Sequence, residues 1–178
     1  MTVDEIIIEA LSELGRGTDT INVNSARNRF THYINESILD IASAFHLNKQ
    51  EKINVTDVMM LDVNSFQNQC MNLISVAQNN RTIRFNKYSD SGLFKVFTQG
   101  EVVVNYRCIP KAVSLPTDIP DIPKALHALI VMYVVAREKM NSDVTTQKGA
   151  QCHMELYELM KRRIICAQDG CESITNKW

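Results

Sequence analysis

The sequence predicts an α+β fold, a four-helix bundle with an antiparallel β-sheet inserted between helices two and three. Apolar residues recur at helical spacing in two segments before residue 51 and in two after Pro123. Between residues 52 and 109 that period gives way to short β-branched and aromatic runs separated by polar turn clusters. All four prolines lie between Pro110 and Pro123, where the helical period returns. The 178 residues are 45% hydrophobic and 22% charged, ordinary values for a folded chain. The expected organisation is one domain over 1–178: helical bundle at 1–51 and 110–169, β insertion at 52–109, C-terminal tail at 170–178.

The first helix starts at Thr2, whose hydroxyl can cap free amides while Glu5 reaches back to the cap. Ile6 or Ile7, Ala10, Leu11 and Leu14 share one face, and Gly15 and Gly17 end it. Asn24 or Ser25 is the expected cap of a second helix, in which Phe30, Tyr33, Ile34, Ser37, Ile38, Ile41, Ala42 and Phe45 recur up to about His46. Strands are expected near 53–61, 73–77, 82–85, 93–97 and 101–108, in the order of an antiparallel meander. Gln78-Asn79-Asn80, Ser89-Asp90-Ser91-Gly92 and Gln99-Gly100 supply the turns, because these residues tolerate positive φ or bond their own backbone. The polar stretch 64–72 carries no pattern.

The prolines predict a stiff linker leaving the sheet, with Pro123 in the first turn of a helix and Asp121 near its free amides. Leu126, Leu129, Ile130, Tyr133, Val134 and Arg137 mark the third helix, to about Met140. After Asn141-Ser142-Asp143, Ala150, Met154, Tyr157, Met160 and Ile164 mark the fourth.

Net charge is −1, and the 19 Lys and Arg are spread along the chain, so no patch for gripping phosphates stands out. The longest apolar runs fall well short of the roughly 20 residues that span a bilayer. Asp4, Glu5 and Glu9 stand where a signal peptide would need basic and then apolar residues, so the expected compartment is the cytoplasm of the cell that makes the protein. Cys70, Cys108, Cys152, Cys166 and Cys171 are odd in number and irregular in spacing, as expected for reduced thiols.

No residue is nominated for catalysis. His32, His46, His127 and His153 form no HxxxH or HExxH pair, and Cys152-His153 with Cys166 and Cys171 lacks the second pair a zinc site needs. There is no GxSxG, and the glycines are single rather than gathered in a phosphate loop. Asp118 and Asp121 read as loop solvation and helix capping, and Lys161-Arg162-Arg163 as cations complementing the dipole near the end of helix four. No enzyme activity, cofactor or metal is expected.

One constellation goes further. The run Val102-Val103-Val104-Asn105-Tyr106-Arg107-Cys108-Ile109-Pro110 is followed by Leu115-Pro116-Thr117-Asp118-Ile119-Pro120-Asp121-Ile122-Pro123-Lys124-Ala125-Leu126-His127-Ala128-Leu129-Ile130. It resembles the head-to-tail adaptor proteins of tailed bacteriophages, also called connector or tubular gatekeeper proteins. In those a closing strand ends in tyrosine and proline, an acidic proline-bearing loop follows, and a helix packs back on the N-terminal helices. The likeness extends over nearly the whole chain in element order and is concentrated between Val102 and Lys139.

The resemblance implies a structural virion protein at the head–tail junction, made in the host bacterial cytoplasm. It implies a homo-oligomeric ring, commonly a twelve-fold dodecamer, which binds the portal protein and receives the tail or a tail adaptor. DNA would pass through the lumen without specific binding, and no membrane is involved. Lacking clustered Lys and Arg, such a wall would not grip a moving polyanion. Self-association is expected through the β insertion and the helix sides. Adaptor subunits clasp the portal with terminal segments, so Ile164, Ile165, Ile174 and Trp178 are the expected partner-binding residues, with Arg162 and Arg163 at the rim. The alternative is a small DNA-binding or regulatory interaction module with helices three and four as a helix-turn-helix. Against it, only Lys148 is basic in residues 144–149.

Overall fold

In the computed structural model Thr2 caps the first helix, α1 (Val3–Glu13), through the expected box: the Glu5 amide donates to Thr2 Oγ1 at 3.3 Å, and the Thr2 amide to the Glu5 carboxylate at 2.8 Å. The structure describes residues 1–56, 60–88, 92–141 and 144–168, with the side chains of 144–148 and 168 excepted. It is mixed α+β, with four helices and two antiparallel sheets.

Helix α2 (Thr20–Phe45) starts earlier than Asn24 or Ser25. Asp19 is the reason: its carboxylate accepts the amides of Ile21 and Asn22 at 3.0 and 3.1 Å, leaving the first turn in no need of a later cap. These amides, Asn22 foremost, hold the Asp19 carboxyl below its ordinary range. The strands are β1 (Asn48–Val55), β2 (Met60–Asp62), β3 (Gln69–Gln78), β4 (Arg81–Ile83), β5 (Phe85–Lys87), β6 (Leu93–Val96) and β7 (Gly100–Ile109). Helices α3 (His127–Met140) and α4 (Val144–Gln168) follow.

Two compact units divide the chain, His46–Lys111 and the remainder, so the β unit is wider than the expected 52–109. In the helical unit α3 is central, touching α1, α2 and α4. Leu129, Ile130, Val131, Val134, Val135 and Ala136 bury its surface nearly all round. Each of the larger ones contributes about 1.5–3 kcal/mol by leaving water. Pro123 precedes a 3-10 turn, Lys124–Leu126, and α3 starts only after it, at His127.

The proline segment is anchored in this unit from Ala112 onward. The Val3 and Asp4 amides donate to the Asp118 and Pro116 carbonyls at 2.9 and 3.1 Å, which satisfies free amides of α1. Asn35 bonds both the amide and the carbonyl of Val113 at 2.9 Å. The Asp118 carboxylate takes the Ser114 and Leu115 amides at 2.8 Å, so its carboxyl is held low and it closes a turn rather than exchanging protons.

The strands do not form a meander. One sheet has the order β1-β7-β3-β4, the other β2-β6-β5. Strand β7 is central because it alternates over ten residues, with Val102, Val104, Tyr106 and Cys108 buried on one face, and so offers a full ladder to both neighbours. Strand β3 starts within the patternless stretch, where register shifts at Cys70/Asn72 and Leu73/Ser75 break the alternation that would have announced it. Strand β1 begins at Asn48 because it is an edge strand carrying Lys49, Glu51 and Lys52, charges that blunt an open edge and hide the strand from hydropathy. Both sheets share one core, including Leu61, Phe66, Leu73, Val76, Phe94, Val96 and Tyr106.

The two-residue turn between β3 and β4 has Asn79 and Asn80 at φ 50° and 62°, the left-handed pair that tight hairpins favour. The expected turn at 89–91, the end of the 53–61 strand at 57–59, the break at Ser142-Asp143 and the tail 170–178 lie outside the described residues.

Candidate functional site

The candidate site is the outer surface of α4, and what holds that helix decides what it offers. Ala150, Tyr157 and Lys161, at spacings of seven and four, turn inward and are buried. Tyr157 packs edge-on to Tyr133, ring centroids 5.3 Å apart. Its hydroxyl donates to Asp40 of α2. Lys161 Nζ reaches Asp40 Oδ2 at 2.7 Å and Glu158 Oε1 at 2.8 Å. Burial alone would lower the Lys161 pKa, but these hydrogen bonds and charges outweigh it and hold the ammonium above its ordinary value.

Lys161 is therefore no part of a surface patch with Arg162 and Arg163, which are exposed. Nor do the three cations complement the end of the helix, because α4 continues to Gln168, past the reach of its terminal dipole.

With Tyr157 and Lys161 turned in, Leu156 and Leu159 are left 48% and 47% exposed among the exposed Glu155, Arg162 and Arg163. Beside Leu159, a groove of about 550 Å³ is floored by Met140 and Met154 and rimmed by Glu155, Glu158 and Arg162. Thioethers adapt to varied shapes, so this apolar lining with charged groups beside it can accept an apolar side chain.

Of the expected partner-binding residues, Arg162 stands at this groove and Arg163 is exposed. Ile164 and Ile165 are half-buried. Ile174 and Trp178 lie outside the described residues. Sequence reasoning missed Met140, Leu156 and Leu159. Their signal was available, since Leu156 and Leu159 are apolar residues off the face traced by Ala150, Met154, Tyr157 and Ile164.

Among the described residues no group of three His, Cys, Asp or Glu is placed to hold a metal ion, and no helix is long and apolar enough to cross a membrane. His127 is buried beside the Met1 amine, 2.9 Å from Nδ1, with Nε2 3.3 Å from the Ile122 carbonyl. The ammonium donates a hydrogen bond that Nδ1 accepts, so Nε2 carries the ring hydrogen towards the Ile122 carbonyl. No protein-family model matches the chain, and no curated protein matches it.

Proposed function

We propose that the chain is a structural virion protein, a head-to-tail adaptor subunit of a tailed bacteriophage that assembles as a ring between portal and tail. In this reading the chain is a four-helix bundle with its β unit inserted between helices two and three. The ring, commonly dodecameric, lines the DNA channel without binding DNA specifically. The observation that carries it is the outward apolar strip of α4, Leu156 and Leu159 beside the Met140–Met154 groove. Such a strip is costly to leave in water and suits a face covered on assembly. The resemblance between Val102 and Lys139 supplies the class of assembly.

The rival reading, a DNA-binding module, lacks such support. Among the described side chains in the first half of α4, the exposed Gln151, Cys152, Glu155 and Leu156 bring no positive charge to a groove-reading helix.

Electron microscopy of the chain mixed with portal rings encoded by the same genome tests the proposal. Added density with the rotational symmetry of the ring, stacked on one face of the portal, is the expected result. Portal rings that stay bare at saturating chain overturn it.

A further inference from the structure

We infer that Cys70 and Cys108 are a cross-strand dithiol that closes to a disulfide by exchange with a small disulfide such as oxidised glutathione. The two residues are direct partners in the antiparallel β3–β7 ladder. Cys108 donates its backbone amide to the Leu47 carbonyl at 3.0 Å, on the β1 side of β7. In an antiparallel strand the amide and carbonyl of one residue point to the same neighbour, so towards β3 Cys108 occupies a non-hydrogen-bonded position. Pairs of that kind bring their Cα atoms to about 4.5 Å and their side chains to one face. That separation lies in the window of about 4.4–6.8 Å a disulfide spans, so closure needs no change of register.

The surroundings give the two thiols different tasks. Cys108 is buried in the core of the β unit, and Cys70 packs half-buried against that core. A groove of about 220 Å³ reaches Cys70 and is lined also by Lys87, Asn72 and Phe94. The extra residue between Cys70 and Asn72 loosens the ladder there. Burial keeps the Cys70 thiol above its ordinary pKa, the Asn72 amide and the Lys87 charge pulling the other way. The pair is thus slow to react at neutral pH and speeds up in alkali.

The exchange balances. The Cys70 thiolate attacks one sulfur of oxidised glutathione, the glutathione S–S bond breaks, and one glutathione thiolate leaves. The Cys108 thiolate then attacks the Cys70 sulfur and expels the second. Two protein thiols are oxidised by two electrons, one small disulfide is reduced, and the two protons go to the departing thiolates. A reducing compartment keeps the pair open; an oxidising one closes it.

The test uses the full chain carrying C152S, C166S and C171S, leaving these two cysteines alone. Cys152 and Cys166 are exposed, so their replacement leaves the fold in place. After incubation with oxidised glutathione at pH 8.5, the intact mass should fall by about 2 Da, with both thiols lost to alkylation. A peptide containing Cys70 should be joined to one containing Cys108. Adding C108S should stop the reaction at a single glutathione adduct on Cys70, and the rate on the two-cysteine chain should rise about tenfold per pH unit from 6.5 to 8. A stable glutathione adduct on Cys70 with Cys108 still free, or two free thiols throughout, overturns the inference. Peptide mapping of the unsubstituted chain gives the same readout if the serines disturb folding.

Discussion

Arg29 grips Glu138 with both arms of its guanidinium, Nε and Nη2 donating to the two carboxylate oxygens at 2.8 and 2.9 Å across 109 positions of sequence. Arg16 adds a third bond at 2.5 Å, and the carboxylate between them is 6% exposed. A buried carboxylate is tolerable only because two cations meet it, so the three residues tie the segment after α1, α2 and α3 together. Glu138→Gln should cost about 2–4 kcal/mol by urea unfolding, and Arg29→Ala less, since Arg16 still faces the charge. An unchanged midpoint for Glu138→Gln would remove this pairing from any account of stability.

The second prediction concerns how α4 is held. Asp40 receives both Tyr157 and Lys161, and Asp40→Asn leaves a buried ammonium with Glu158 as its remaining carboxylate. The expected loss is about 1–3 kcal/mol, with faster amide exchange along α4 and little change in α1. Because the folded Lys161 pKa is raised, its contribution is complete below the ordinary value of 10.5 and is lost as pH rises through the folded value. Unfolding at pH 7 and at pH 9 should therefore show the same Asp40→Asn penalty.

His127 predicts the opposite sign at acid pH. Burial first, then the Met1 amine and Lys124, hold its pKa below the ordinary 6.5, against the Ile122 carbonyl. The unfolded chain binds the proton more readily, so stability is full above pH 6.5 and falls as pH drops towards the folded value. Thermal unfolding between pH 7 and pH 5 should show a falling Tm, and His127→Gln should flatten that slope. Equal slopes would assign the acid sensitivity elsewhere.

In the β unit, Tyr106 packs tilted against Phe66, ring centroids 4.7 Å apart, and donates its hydroxyl to Glu51, which also accepts the Gln67 amide at 3.0 Å. Burial, reinforced by Glu51, pushes the phenol up, so it stays protonated and donating well into alkali. Tyr106→Phe should cost about 1 kcal/mol and Tyr106→Ala about 3–5, because the second empties a filled core. Chemical denaturation monitored by circular dichroism separates the two.

The last prediction tests the outer face of α4. Leu159→Glu places a charge where the side chain already meets water, so thermal stability should change by under about 0.5 kcal/mol. Under the adaptor proposal, recruitment to portal rings should fall sharply, as seen in co-sedimentation. Full recruitment of this variant would move the interface off α4.

The portion of the site that was legible was small for a definite reason. Arg162 could be picked out because a cation late in a helix is visible as such, and it does stand at the groove. Lys161, its neighbour, carries the same charge but turns inward to Asp40, 121 positions away. Nothing within one helical turn of Lys161 announces that partner. Leu156 and Leu159 were passed over because an apolar residue off the main stripe looks like scatter until the helix is seen packed on one side only.

The sequence by itself determined what depends on neighbours within a turn or a reversal: the Thr2–Glu5 capping box, the apolar faces of α2 and α3, and the Asn79-Asn80 hairpin. These interactions close within about four residues, so the side chains that make them stand together in the chain. Only the tertiary structure decided that β7 lies between β1 and β3, that Cys70 faces Cys108, and that Glu138 is buried between two arginines. Each of these joins residues at least 26 apart, Ala77 and Val103 of the β3–β7 ladder being the closest. Such partners are chosen by which remote surfaces match in register, shape and charge once the chain has closed on itself, and residues next to them in sequence carry no record of that choice.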